Sequence, residues 1–153
     1  GTGANILSIL TCTHSYHAVI CSDISHIICD ESSSPETVTG VRLISIPTDD
    51  NGKINIEIIE EKLDRIGDMH AAQPRMLTIA QPTEYGTVYT IDELKQLSQL
   101  AKKYNLYFRK SSTNNECIME NHRYRSYVDI ILFISVSHDS FVSQNSSFDS
   151  RQF

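Results

Sequence analysis

The sequence predicts an α/β fold, a mostly parallel sheet sandwiched by helices. Short apolar runs of strand length alternate with longer segments of helical period, a rhythm that requires crossover connections and hence parallel strands. The chain has 153 residues, 40% hydrophobic and 21% charged, which is enough to bury one core. The strongest helical segment also carries its own start signal, because Thr90 and Glu93 stand three apart as a capping box.

Ala4 to Leu10 is predicted helical, with GTG as its first turn, and Ala18 to Cys21 is a short apolar strand. Ile24 to Ser34 is ambiguous and has room for a helix, and Val41 to Ile46 is a second strand stopped by Pro47. TDDNGK then reads as a turn, since Asn51-Gly52 tolerates positive φ. Ile56, Ile59, Leu63 and Ile66 recur at helical spacing, predicting an amphipathic helix over Ile56 to Ile66 with Glu57, Glu60, Glu61, Lys62 and Asp64 on its wet side. Pro74 to Ala80 is the next strand. TIDELKQLSQLAKKY follows as a helix striped by Leu94, Leu97, Ala101 and Tyr104, and Leu106 to Phe108 begins another strand. After Lys110 the rhythm stops: SSTNNECIMENHRYRSY has no clear period and the end is rich in serine. Two regions are therefore expected, an ordered domain over residues 1–108 and a divergent, poorly ordered tail over 109–153.

Composition excludes several classes of function. A net charge of -6 offers no basic field for a polyanion, so nucleic acid is not an expected partner. The apolar run from Val128 to Val136 contains Asp129 and is far shorter than the roughly 20 residues of a spanning helix, so a buried strand is expected there and no membrane contact. With no charged segment leading into an apolar one at the start, the cytoplasm is the expected compartment. Four cysteines are too sparse for a disulfide framework. Cys12, His14, His17 and Cys21 fall within ten residues, but the spacing matches no common zinc pattern and Ala18-Val19-Ile20 reads as strand. No metal site is expected.

In an open α/β sheet, ligands sit beyond the carboxyl ends of the strands. GTGAN at a helix start presents unhindered N–H groups, a threonine hydroxyl and the positive end of the helix dipole, all suited to a phosphate, although a plain N-cap has the same composition. His26 and Glu31 follow the first strand, where an imidazole is placed to stack on a planar cofactor or simply to face water. QPTEYGTVYT follows the Pro74 to Ala80 strand and brings Gln81, Thr83 and Glu84 to the sheet edge.

In this order, GTGAN, AVICSDISHI with Asp30-Glu31, GVRLISIPTDDNGKI and QPTEYGTVYTIDELKQLSQLAKKYNLYF resemble the large domain of the low-specificity threonine aldolases, of the beta-eliminating lyase group. The resemblance covers about residues 1–108. It implies the aspartate aminotransferase type of fold, pyridoxal 5'-phosphate (PLP) as cofactor, an amino-acid substrate, and a dimer or tetramer with active sites at subunit interfaces. It further implies that Gly1, Thr2 and Gly3 cradle the cofactor phosphate, that His26 stacks on the pyridine ring and assists the aldol step, and that Glu31 lines the pocket. The family reaction is retro-aldol cleavage of threonine or allo-threonine to glycine and acetaldehyde.

Two departures from the family pattern qualify that expectation. Family members carry a segment before the cradle, so a chain opening at Gly1 is expected to be an internal piece of a gene product. After the strand matching NLYF the family continues with a histidine, one apolar residue and D-G-A-R, whereas this chain reads NLYFRKSSTNNE. The aspartate that holds the ring nitrogen has no counterpart, and no lysine follows Lys110 to bond the cofactor aldehyde. The abrupt change resembles a shifted reading frame or a decayed gene. The expected function is therefore an aldolase-type lyase whose present chain is an inactive fragment, the alternative being a non-catalytic α/β remnant acting through protein contacts. A dinucleotide-binding domain fits less well, because GTGAN lacks the third glycine of G-x-G-x-x-G and no strand precedes it.

Overall fold

The computed structural model describes residues 1–112 and 117–120; the expected strand at Val128 to Val136 and the serine-rich end lie outside the described residues. The described elements are α1 (Thr2–Cys12), β1 (His17–Ser22), α2 (His26–Cys29), α3 (Ser34–Thr39), β2 (Arg42–Ile46), α4 (Ile56–Leu63), β3 (Gln73–Gln81), α5 (Ile91–Lys103), β4 (Tyr107–Ser112) and β5 (Cys117–Glu120). The strands form one sheet in the order β2-β1-β3-β4-β5. The first four pair in parallel, as the alternating pattern requires, and β5 pairs antiparallel with β4.

Strand alternation divides the core in two. Ile20, Leu77, Ile79 and Phe108 face α4 and α5, packing on Ile59, Leu63, Leu97, Leu100 and Ala101. Their neighbours Val19, Met76 and Tyr107 face α1 and pack on Ile9 and Cys12. Ala18, Val19, Ile20 and Cys21 on β1 are wholly buried, as a central parallel strand covered on both faces must be. Helix α1 turns Asn5, Ser8, Ile9 and Cys12 inward, a stripe at helical spacing that includes two polar residues.

The capping box forms as read: Thr90 Oγ1 accepts from Glu93 N at 3.2 Å, and Glu93 Oε2 accepts from Thr90 N at 2.6 Å. The stripe on α5 shifts slightly, with Leu97, Leu100 and Ala101 buried and Leu94 and Tyr104 packed at the margin. Helix α4 is shorter than its period suggested, stopping at Leu63 and leaving Ile66 43% exposed. The cause is tertiary: Gln73, at the start of β3, accepts from Gly67 N at 2.8 Å and donates to Asp68 O and Ala71 O at 2.8 and 2.9 Å, holding residues 65–71 as a loop. The ambiguous stretch after β1 contains α2, and α3 begins at its end. Helix α3 was not anticipated; Pro35 opens it and Gly40, at φ +73°, closes it. Strand β4 continues to Ser112, and β5 was not foreseen either.

Candidate functional site

With β1 flanked by β2 on one side and β3 on the other, the chain leaves β1 in one direction and returns past it in the other. The carboxyl ends of β1 and β3 therefore border a crevice where crossovers diverge, the position at which such sheets bind ligands. His26 follows β1 and Glu84 follows β3, and they meet across this crevice. Glu84 Oε1 lies 2.9 Å from both the backbone N and the Nδ1 of His26. The carboxylate so caps the first turn of α2 while holding the imidazole.

On its other side His26 meets α1. Asn5, 3% exposed, places Nδ2 3.1 Å from His26 Nε2 and donates to Glu31 Oε1 at 2.6 Å. Its Oδ1 accepts from Arg109 Nη2, and Arg109 Nη1 donates to Thr78 Oγ1 at 3.0 Å. Arg109 and Glu31 are both buried, and Arg109 Nε and Glu31 Oε2 have no partner among the described residues. Such groups are costly to leave unpaired, and here Asn5 bridges the two opposite charges. The loops after β2 and β3 meet beside it: Thr83 and Thr87 share a hydrogen bond of 2.8 Å, and Thr83 Oγ1 donates to Asn51 O at 3.4 Å.

The structure brings together three of the sequence's candidate features. His26 and Glu31 converge on Asn5, itself on the second turn from Gly1, with Thr2 and Gly3 between. Gly1, Thr2 and Gly3 are exposed, Gly1 is the N-cap without a side-chain cap, and a Cβ on Gly1 or Gly3 would meet nothing within 4 Å. The first N–H groups of a helix have no full set of intrahelical partners. Nothing in the sequence pattern alone marks Asn5, Arg109 or Thr78 as site residues. Asn5 lay inside the quoted GTGAN, and its signal was an amide on the buried stripe of a helix. Glu84 stood in the third motif without a partner, which the sequence has no means of supplying from 58 residues away.

Cys21 is far from the kind of ligand a metal takes: burial, ahead of every other influence, pushes its thiol up to about 12. Among the described residues no group of three His, Cys, Asp or Glu side chains is disposed to hold a metal.

A parallel sheet of this order, layered by helices and carrying its polar cluster at the β1/β3 crevice, is that of the PLP-dependent enzymes of fold type I. An archaeal alanine:glyoxylate aminotransferase shares it, with a TM-score of 0.56 at 20% identity over 71% of this chain and 26% of its own, a likeness of fold alone. The chain belongs to the beta-eliminating lyase family, whose model matches residues 1–139, beyond the 108 residues of the motif resemblance. It is similar to a low specificity L-threonine aldolase of Pseudomonas sp. (strain NCIMB 10558), 36% identical over 119 residues, which are 76% of this chain and 34% of that one. It is also similar to the solved threonine aldolase of Leishmania major, with a TM-score of 0.66 at 30% identity over 71% of this chain and 31% of that one. The chain thus spans about a third of the length of these relatives. The family depends on PLP.

The residues present fit that cofactor at one end only. The open helix start suits its phosphate. Beyond it, β4 carries Arg109 toward α1, beside Thr78, and its residues YFRKSS include no carboxylate to hold a ring nitrogen. Lys110 alternates to the other face, opposite Ile79 and toward α5. Lys53 is engaged by Glu93 at 2.9 Å. Among the described residues, no lysine joins the Asn5–His26 cluster.

Proposed function

We propose that this chain forms the phosphate-seating part of a threonine aldolase-type lyase, whose whole protein cleaves threonine or allo-threonine to glycine and acetaldehyde, and that the chain by itself is inactive. The observation that carries this reading is the convergence of His26 and Glu31 on Asn5, one turn from the exposed start of α1, at the β1/β3 crevice. In this reading Gly1, Thr2 and Gly3 bind the cofactor phosphate through backbone N–H groups and the threonine hydroxyl. His26 offers its half-exposed ring face to the cofactor, and Glu31 lines the floor. When bound, the cofactor supplies a sink for electrons released from the substrate. The chain is proposed to be one segment of a longer cytoplasmic product that acts as a homo-oligomer. Among the described residues, the lack of a carboxylate on β4 and of a lysine in the cluster supports the inactive form, and equally supports the second reading, a non-catalytic α/β remnant acting through protein contacts.

The test is equilibrium dialysis of the purified chain against PLP, with inorganic phosphate as competitor, followed by borohydride treatment and peptide mass mapping, and an acetaldehyde assay with threonine. Weak binding that phosphate displaces, with no cofactor-modified lysine and no acetaldehyde, is expected. Release of acetaldehyde overturns the assignment as inactive. A folded chain that takes up no PLP overturns the cradle and leaves the remnant.

A further inference from the structure

The contacts of Asn5 settle a question about His26 that its own surroundings leave open, namely which ring nitrogen carries the proton. Two independent neighbours fix the orientation of the Asn5 amide. Arg109 has only donors, and its Nη2 faces Asn5 Oδ1; turning the amide over would set NH2 against a guanidinium. Glu31 Oε1 lies 2.6 Å from Asn5 Nδ2; turning the amide over would set two oxygens against each other. Both neighbours demand the same orientation, so Nδ2 faces Glu31 and His26.

One Asn5 N–H is taken by Glu31, and the other points at His26 Nε2, 3.1 Å away. A protonated Nε2 would meet that N–H head on, so Nε2 must present its lone pair. At the opposite edge of the ring, Nδ1 lies 2.9 Å from Glu84 Oε1, an oxygen that also accepts the His26 backbone N–H. The proton therefore sits on Nδ1. The other carboxylate near the ring, Glu31, has its Oε1 4.0 Å from Nε2 and is reached first by Asn5.

We infer that Asn5, pinned between Arg109 and Glu31, is a positioning residue that holds His26 as the neutral Nδ1–H tautomer with a proton-accepting Nε2. A ring so held is turned to receive a proton at Nε2, with Nδ1–H steadied by Glu84, and a hydroxyl entering the crevice has only the Asn5 N–H to displace. The use made of that Nε2 rests on the proposed function. The tautomer does not.

The experiment is a long-range proton–nitrogen correlation spectrum of the whole chain labelled with 15N-histidine, recorded about one unit above the ordinary imidazole value of about 6.5. The His26 signals are assigned by their loss in His26→Gln. A pyridine-like Nε2 and a pyrrole-like Nδ1 are expected; a pyrrole-like Nε2, alone or together with Nδ1, overturns the inference. The charge-conserving pair Asn5→Asp with Glu31→Gln makes residue 5 an acceptor only, and moves a proton onto Nε2. Arg109→Lys, still a pure donor, keeps the original pattern. A double variant that retains a pyridine-like Nε2 counts against Asn5 as the cause. The unsubstituted chain decides the tautomer even if a variant fails to fold. Because no cofactor or turnover enters, failure here is distinct from failure of the binding and activity tests above.

Discussion

One oxygen of Glu84 serves His26 twice, lying 2.9 Å from its backbone N and 2.9 Å from its Nδ1. A side chain on the loop after β3 thereby starts the helix after β1, and the two loops that border the crevice are tied at a single atom.

Removing that atom should loosen both functions at once. Glu84→Ala is expected to cost about 1–2 kcal/mol, the scale of a lost N-cap together with one hydrogen bond to a charged group. Glu84→Gln keeps an acceptor oxygen and should retain at least half of that. Urea midpoints of the three chains give the comparison, and equal losses in the two variants would show that charge, not acceptance, matters.

Arg109 and Glu31 do not touch, yet both bond Asn5. A double-mutant cycle of Arg109→Leu and Glu31→Gln should therefore show a coupling of roughly 1–3 kcal/mol, since each single change strands the other's charge in the interior. Arg109→Leu alone should be the worst of the three variants, costing about 3 kcal/mol. Additive losses would mean that the bridge carries no energy.

Gly52 stands at φ +72°, and a Cβ there would lie 3.0 Å from Tyr85 Cδ2, 3.1 Å from Ile24 Cδ1 and 3.3 Å from Thr83 Oγ1. The turn is wedged against the loops after β1 and β3. Gly52→Ala should destabilise by about 1–2 kcal/mol from the left-handed conformation alone, and more if Tyr85 does not yield. Gly67, at φ +89° with nothing within 4 Å, is the control that carries only the conformational part. Thermal midpoints of the two variants separate the terms.

Acid should weaken the fold through carboxylates held ionised. The Lys53 ammonium, and then the Thr90 backbone N–H, draw the Glu93 carboxyl below its ordinary value; the His70 N–H, and then Arg65, do the same for Asp68. A depressed native pKa contributes stability that is whole above the unfolded values of about 4 and is lost as pH falls through the lower native ones. Urea midpoints should fall away as pH drops below about 4. Lys53→Met should shallow that decline, and an unchanged slope would remove Glu93 from the account.

The order of helices and parallel strands was legible because period and punctuation are local: the Thr90–Glu93 box, the Asn51-Gly52 turn and the apolar β1 run declare themselves within a few residues. The end of helix α4 is not legible locally, because Gln73, a residue of the next strand, decides where the helix stops. Strand β5 escaped notice because it exists by pairing with β4, which its own residues do not announce.

The sequence by itself determined the layered fold, the helix that starts at GTG and the presence of His26, Glu31 and Glu84 after the strands that lead to the crevice. Only the tertiary structure decided that these side chains share one network, that Asn5 links it to Arg109, and that Lys110 faces away from it. The physical reason is that periodicity assigns a residue to a face, while hydrogen bonds between residues 21 to 104 positions apart exist only once the strands have been laid side by side.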